Sequence, residues 1–428
     1  MDYPINSAEP LVMHIDLNSA FASIEQQANR MLRGVPVGVA ANLSPGGCVI
    51  SPSKEAKVLG VKVGFRVRDA QALIPNIRII APDPDKYFYV HKQFSRLFRD
   101  YSPDVVPLSI DEAAINFKGT LGIHRQTMEE IGQEIKDRMR DEIGDWLTCN
   151  VGISTNRFLA KLAAGLHKPN GLDVITHDNL RDVLGSVGLM DLCGINTRNK
   201  TRLHLNGITS PLEFLDAPVW KLWKEVFHSV NGRQWFLRLR GWEVDDITYK
   251  RRTYGQSYAL HHFTNNTEEL SKLMMKLCEK MGRRLRRSGN FAYGIHVGCG
   301  YRGFSGWHKG QKGHTKLYST QDLYNAAMKL LEYRPQAPFH QVTHIWVNCY
   351  GLQSAQHVAD TLFETEESRA FKLADAMDAI NNRYGEYTVH AATMSGMDEQ
   401  IIKRVPFHAT TDTLSEIYDD SEEFAGVA

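Results

Sequence analysis

Asp111 and Glu112 are adjacent carboxylates in the stretch LSIDEAAINF (residues 108–117), and a third acid, Asp16, lies in LVMHIDLNSAF (residues 11–21). Two neighbouring acids repel each other unless water or a divalent cation sits against them, and Mg²⁺ is a hard cation that takes oxygen ligands. A lone Asp-Glu pair is more often a solvated turn, but a third acid weighs against that. Val106, Leu108 and Ile110 alternate with Pro107, Ser109 and Asp111, and Leu11, Met13 and Ile15 alternate with Val12, His14 and Asp16. Both stretches therefore read as half-buried strands with acid on the open face. Strict alternation cannot aim both Asp111 and Glu112 at one point, so a twist or bulge at that strand tip is required. Three acids at two strand ends could hold two Mg²⁺ ions for an in-line displacement at phosphorus.

Cations follow downstream. VGISTNRFLAKLAAGLHKPNG (residues 151–171) reads as strand, turn and helix, with Arg157 and Lys161 four apart on one helical face and Ala160, Ala163 and Ala164 keeping the packed side slim. Lys168 stands just past the helix, before a Pro-Asn-Gly stop. Lysines are ordinarily solvated. Three cations behind a carboxylate cluster instead suit a triphosphate.

The elements that must position these groups follow from periodicity. Strand 11–17 leads into a helix from about residue 19, with Asn18 or Ser19 as N-cap and Phe21, Ile24 and Ala28 on one face. Residues 36–41 and 48–51 read as short strands around the turn-rich NLSPGG, and 55–59 as a short helix, together a small insertion. A helix over 86–101 leads to the acidic hairpin. Then come a helix carrying Ile131, Ile135, Met139 and Ile143 and a strand over 147–153. Without the insertion the order is β-α-β-β-α-β, a ferredoxin-like split unit that makes Asp16 and the acidic hairpin neighbours on central strands. Residues 191–208 (DLCGINTRNKTRLHLNGI) are similar to a helix-hairpin-helix, with Asn196 where a second glycine is usual and a positive φ is expected. A polar, basic link over 242–252 precedes a second β-α-β-β-α-β order: strand 254–263, helix 267–287, strands 291–301 and 314–320, helix 321–332 and strand 341–350.

At 428 residues the chain has room for about three domains. The N-terminus lacks a basic, apolar leader and no run of 18 apolar residues occurs, so an unexported, cytoplasmic protein is expected. Six cysteines never fall in a C-x-x-C spacing, which signals neither zinc nor disulfides. The net charge of +1 hides a strong asymmetry: residues 250–316 hold 14 Lys/Arg against three acids, and residues 353–428 hold five against 15. A basic block of that size is the footprint of a phosphate backbone.

Taken together, these motifs resemble the Y-family translesion DNA polymerases: D-x-N-x-x-F-A-S at 16–23, E-A-K-x-L-G-V-K-x-G at 55–64, S-I-D-E-A at 109–113, and V-G-I-S-x-N-x-x-L-A-K with K-P-N-G. The E-A-K motif and the tail are closer to the catalytic subunit of bacterial DNA polymerase V than to DNA polymerase IV. The resemblance, over residues 11–350, implies an α+β multi-domain chain. Its parts would be a ferredoxin-like palm (1–32 and 82–172), inserted small fingers (33–81), a helical thumb with the helix-hairpin-helix (173–242), a β-α-β-β-α-β little finger (252–352) and a C-terminal acidic tail (353–428). It implies Asp16, Asp111 and Glu112 as catalytic metal ligands for two Mg²⁺, joined by the Leu17 carbonyl. Phe21 would be a steric gate under the incoming sugar, with Ser51, Lys54, Lys57 and Lys168 at the nucleotide. Gly194, Asn196, Arg251, Arg252, Arg283, Arg284, Arg286 and Arg287, with Lys309 and Lys312, would meet DNA.

The implied partners are primer-template DNA, deoxynucleoside triphosphates and a sliding clamp. Leu362 and Phe363 would plug the clamp, although Ala359 replaces the usual leading glutamine. The chain would act as a monomer or with an accessory subunit, without a membrane, in the DNA damage response. Lys54 and Lys57 stand where many members carry tyrosine and arginine, which keeps charge but loses the bidentate fork. Ala20 replaces a frequent aromatic beside the gate. Two other classes fit parts of the pattern. A nucleotide cyclase-like enzyme shares the palm order and the acids but needs no basic block. A catalytically silent DNA-binding relative needs the basic block but not three acids.

Overall fold

The computed structural model describes residues 3–246, 251–336, 340–354 and 366–397, in two compact units that part between Ile247 and Thr248. In the first unit, β1 (Val12–Leu17) turns Met13, Ile15 and Leu17 into the core and leads into α1 (Ala20–Ala28), where Phe21 and Ile24 are buried. Ala28, expected on that face, is the last residue of the helix and is exposed. Next, β2 (Val37–Ala40), β3 (Val49–Pro52), α2 (Lys54–Val58), α3 (Val67–Leu73) and β4 (Arg78–Ile80) form a small lobe. Its sheet order is β3-β2-β4. α3 and β4, which the periodicity did not reveal, are short, and β4 gains its strand character only by pairing parallel to β2.

The chain continues through α4 (Pro84–Arg99), β5 (Val105–Pro107), β6 (Glu112–Asn116), the one-turn α5 (Leu121–His124), α6 (Met128–Arg138), β7 (Cys149–Ser154), α7 (Arg157–Leu166) and β8 (Leu172–Val174). The sheet runs β5-β6-β1-β7-β8, the expected split order with β8 added at one edge, parallel to β7. Residues 106–111 are not one strand. β5 ends at Pro107, and residues 108–111 are the hairpin turn, closed by the Leu108 and Ser109 amides donating to the Glu112 carbonyl at 2.9 and 3.2 Å. Leu108 is accordingly exposed while Ile110 is buried. This turn supplies the break in alternation that the two adjacent acids require.

A helical layer follows, with α8 (Leu180–Ser186), α9 (Thr197–Leu205), α10 (Pro211–Asp216), α11 (Val219–Lys221) and α12 (Asn231–Leu239) packed around Leu203, Phe214, Leu222 and Trp235. Gly194 takes the positive φ of the hairpin, +91°. Asn196 does not. Its φ is −112°, and its Oδ1 accepts from the Thr197 amide at 2.7 Å, so it serves as the N-cap of α9.

The second unit is β9 (Thr253–Thr264), α13 (Thr267–Arg287), β10 (Asn290–Tyr301), β11 (Phe304–Leu317), α14 (Thr320–Leu331), β12 (Val342–Tyr350), β13 (Gln353–Ser354) and α15 (Glu366–Tyr384). Its main sheet is ordered β11-β10-β12-β9, so the β-α-β-β-α-β element order recurs with a different strand arrangement. β11 starts ten residues earlier than expected. Its glycine- and lysine-rich sequence looks like a loop, but a tight Arg302-Gly303 turn zips it onto β10 as an edge strand.

The expected acidic tail is, over residues 366–397, part of this domain. Met394 and Met397 are buried in its core, and α15 lies against α13 through an Asp378–Arg286 pair with contacts of 2.6 and 2.8 Å. Asp378 and Glu386 of that tail are paired with basic residues of α13. Leu362 and Phe363 lie outside the described residues.

Candidate active site

The β1–β6 register sets Asp16 directly opposite Glu112, and on the other side Asp16 faces Asn150 of β7. The Leu17 amide donates to the Asp111 carbonyl at 3.0 Å, fixing the turn residue beside the strand end. All three acids therefore belong to one end of the sheet. Ser109 Oγ donates to Asp111 Oδ1 at 2.5 Å. Even so, burial, followed by the charges of Asp16 and Glu112, raises the Asp111 carboxyl above its ordinary pKa.

α7 brings two cations to this end. It can approach the sheet because β7 carries Gly152, where a Cβ would lie 2.0 Å from the Ala160 carbonyl oxygen and 2.2 Å from the Ala164 nitrogen. Lys161 Nζ then reaches Glu112 Oε2 at 2.5 Å, and Lys168, just past the helix, pairs with Asp16. The Lys161 ammonium is held above its ordinary pKa: burial opposes this, but Glu112 outweighs it. Lys57, exposed on α2, belongs to the same electrostatic cluster. Desolvation and then Lys168 lower it, while Asp16 and Asp111 pull it back. Arg157, expected with these cations, turns away to the Asp245 carbonyl at 3.2 Å and to Glu243.

His14 is a site residue that the sequence did not single out. It lies on the face of Asp16, is buried, and has Nε2 3.7 Å from Glu112 Oε2. Burial, with Lys161 and Lys168, lowers its pKa to about 3, although Asp16 pulls the other way, so the ring is neutral. Asn150 is also buried and holds the Gly171 amide at 2.9 Å, which anchors the loop carrying Lys168. The signal for both was their position opposite or two residues from Asp16 on the open face.

Between Asp16 and Phe21 the chain turns sharply at Ser19, a non-glycine residue with φ +51°. Phe21 is buried and stacked on Tyr87, with centroids 4.5 Å apart. Ser51 is buried and accepts from the Ala22 amide at 3.3 Å, while Lys54 is exposed at the start of α2. Among the described residues no three His, Cys, Asp or Glu side chains are already closed into a metal cage. The donor set still fits a hard divalent cation. It consists of carboxylate oxygens at one strand end, with Asp16 and Glu112 each paired to a lysine in this structure.

Residues 15–165 match the impB/mucB/samB family and residues 248–362 match the impB/mucB/samB family C-terminal domain. The chain is 30% identical over 392 residues to DNA polymerase IV of Moorella thermoacetica, covering 90% of this chain and 96% of that protein. It is 30% identical to DNA polymerase IV of Pelotomaculum thermopropionicum over 88% of this chain and 94% of that one. The chain belongs to the Y-family DNA polymerases. The fold agrees: a Y-family DNA polymerase chimera of Dbh and Dpo4 superposes with a TM-score of 0.68 over 79% of this chain and 98% of that chain, at 22% identity.

In this Y-family polymerase the arginines expected at DNA divide into distinct groups. Arg252 and Arg287 are exposed. Arg251 and Arg284 share one aromatic neighbour, Tyr254, at 5.0 and 5.7 Å from its centroid. Arg283 pairs with Glu386 at 3.4 Å. Arg286 corrects the expectation: it is buried and committed to Asp378 and the Tyr318 carbonyl. Lys309 caps the Tyr333 ring. Among the described residues no helix is long and apolar enough to cross a membrane, and the six cysteines are free.

Proposed function

We propose that this polymerase adds deoxynucleotides to a primer 3′ end under direction of a template, at low fidelity and across damaged bases. The carrying observation is the Asp16–Glu112 cross-strand pair with Asp111 in the adjoining turn. Asp16, Asp111, Glu112 and the Leu17 carbonyl would hold two Mg²⁺ ions. Such ions supply an activated 3′-hydroxyl and charge neutralisation at the leaving pyrophosphate.

The chain's own groups do the rest. Lys54, Lys57 and Lys168 would meet negative charge on the β- and γ-phosphates, and Lys168 and Lys161 are exchangeable counter-ions of the acids until a triphosphate arrives. Phe21 would lie beneath the sugar, and Ser51, which holds the start of α1, would fix that floor.

The helical region 173–242 would offer Gly194 and the α9 start capped by Asn196 to a DNA phosphate. Arg251, Arg252, Arg284 and Arg287 of the second unit would position the duplex backbone. Residues 1–32 and 82–172 then act as palm, 33–81 as fingers, and the second unit, including residues 366–397, as little finger. Leu362 and Phe363 would meet a sliding clamp. Replacing both with Ala should abolish stimulation by the cognate clamp and leave synthesis on a bare primer intact.

Primer extension with Mg²⁺ tests the main proposal, with cyclic-nucleotide formation and DNA binding without synthesis as the competing outcomes. Either competing result alone would replace it.

A further inference from the structure

His14 lies two residues before Asp16 on β1, so both side chains leave the same face of the sheet. Its cross-strand neighbours are Ala114 on β6 and Gly152 on β7, both small and apolar. The imidazole is 1% exposed, and neither ring nitrogen has a hydrogen-bond partner. A buried polar group left unpaired is unfavourable compared with an apolar side chain of the same shape, so a native orphan calls for an explanation. The acceptor the structure offers is Glu112 Oε2, 3.7 Å from Nε2 and already engaged by Lys161 at 2.5 Å. The carboxylate is thus poised between two donors on different elements, one on the long flexible stem of α7 and one fixed in β1.

We propose that His14 is a positioning residue for Glu112: its Nε2–H closes on Glu112 Oε2 and takes the place of Lys161 when Glu112 turns to hold a divalent cation. This rests on Glu112 being a cation ligand. The exchange moves no covalent bond. It leaves the Lys161 ammonium free for phosphate oxygens and keeps the carboxylate aimed by a rigid ring instead of a flexible lysine chain. Partners of this kind, one shell behind a ligand, orient it and tune metal affinity.

The test is Mn²⁺ binding followed by electron paramagnetic resonance, on the full chain with primer-template and a non-reactive nucleotide analogue. It compares the parent with His14→Leu, His14→Gln and Glu112→Gln. Leu should weaken Mn²⁺ binding about tenfold, and Gln, whose Nε2 can reach the same oxygen, should recover most of it. Leu should melt no lower than the parent, because the slot around it is apolar. Parental Mn²⁺ affinity in His14→Leu, alongside weakened binding in Glu112→Gln, overturns the His14 role alone. Parental affinity in Glu112→Gln removes the ligand assignment beneath it. If Leu does not fold, ¹⁵N-histidine spectra of the parent decide: an Nε2–H tautomer whose signal moves on adding Mg²⁺ supports the role, and an Nδ1–H tautomer overturns it.

Discussion

Asp16 on β1 stands directly across the antiparallel ladder from Glu112 on β6, and each is tied to a lysine delivered by α7 or the loop after it. Asp111 completes the group in the adjoining turn, where burial and the charges of Asp16 and Glu112 raise its carboxyl above its ordinary value. Asp111→Asn should therefore lower incorporation at least about 100-fold while leaving the melting temperature in EDTA unchanged or higher. Primer-template affinity should stay near the parent's. A variant that extends primers normally at saturating Mg²⁺ would remove Asp111 from the catalytic set.

Gly152→Ala tests how α7 is seated. The added methyl would meet the backbone of Ala160 and Ala164, atoms that cannot swing aside, so α7 must lift and carry Lys161 with it. The expected loss is about 3 kcal/mol of stability, with a fall in kcat. Equilibrium denaturation at parental stability would show that the helix has more freedom than the geometry allows.

Phe21 is both core residue and proposed gate. Truncation to Ala would cost about 3–5 kcal/mol of packing, so Phe21→Leu is the cleaner probe. It should raise the ratio of ribonucleotide to deoxynucleotide incorporation. An unchanged ratio in a folded, active variant leaves Phe21 as packing against Tyr87 alone.

Glu279 on α13 is buried among His390, the Ala391 backbone, Arg286 and Asp378. Burial pushes its carboxyl up to about 7, while His390, a hydrogen bond from the Ala391 backbone and Arg286 pull the other way. A raised carboxyl favours the fold below its ordinary pKa of 4.5 and loses that advantage as pH climbs through about 7, a swing of about 3 kcal/mol. Glu279→Gln should melt like the parent near pH 4 and above it at pH 8. Thermal denaturation across that range decides, and parallel curves would refute the burial argument.

Arg286 and Asp378 should behave as a structural pair. Asp378→Ala leaves the Arg286 guanidinium buried and uncompensated and should cost about 3–5 kcal/mol. Arg286→Ala should leave the salt dependence of DNA binding unchanged, whereas Arg252→Ala and Arg287→Ala should each flatten its slope by about one phosphate contact. Equal slopes for all three would return Arg286 to the DNA surface.

The acidic end of the first sheet was legible in the chain because the order of its elements follows from local periodicity. The β-α-β-β-α-β element order set Asp16 and the two adjacent acids on neighbouring strands, β1 and β6, although the alternation read over residues 106–111 is interrupted by the hairpin turn. The second β-α-β-β-α-β order was legible for the same reason. Its sheet order was not, because which edges pair depends on non-local hydrogen bonds, and a lysine- and glycine-rich strand such as β11 gains its conformation only from β10. Charge was misleading in the same sense. Arg286 reads as a DNA contact and residues 366–397 as part of an acidic tail until α15 folds back and Asp378 pairs with Arg286. The pairing of Lys161 with Glu112, and the unpartnered His14 beside it, depend on how closely α7 can approach at Gly152. That distance is set by packing between segments far apart in sequence, which composition and periodicity do not encode.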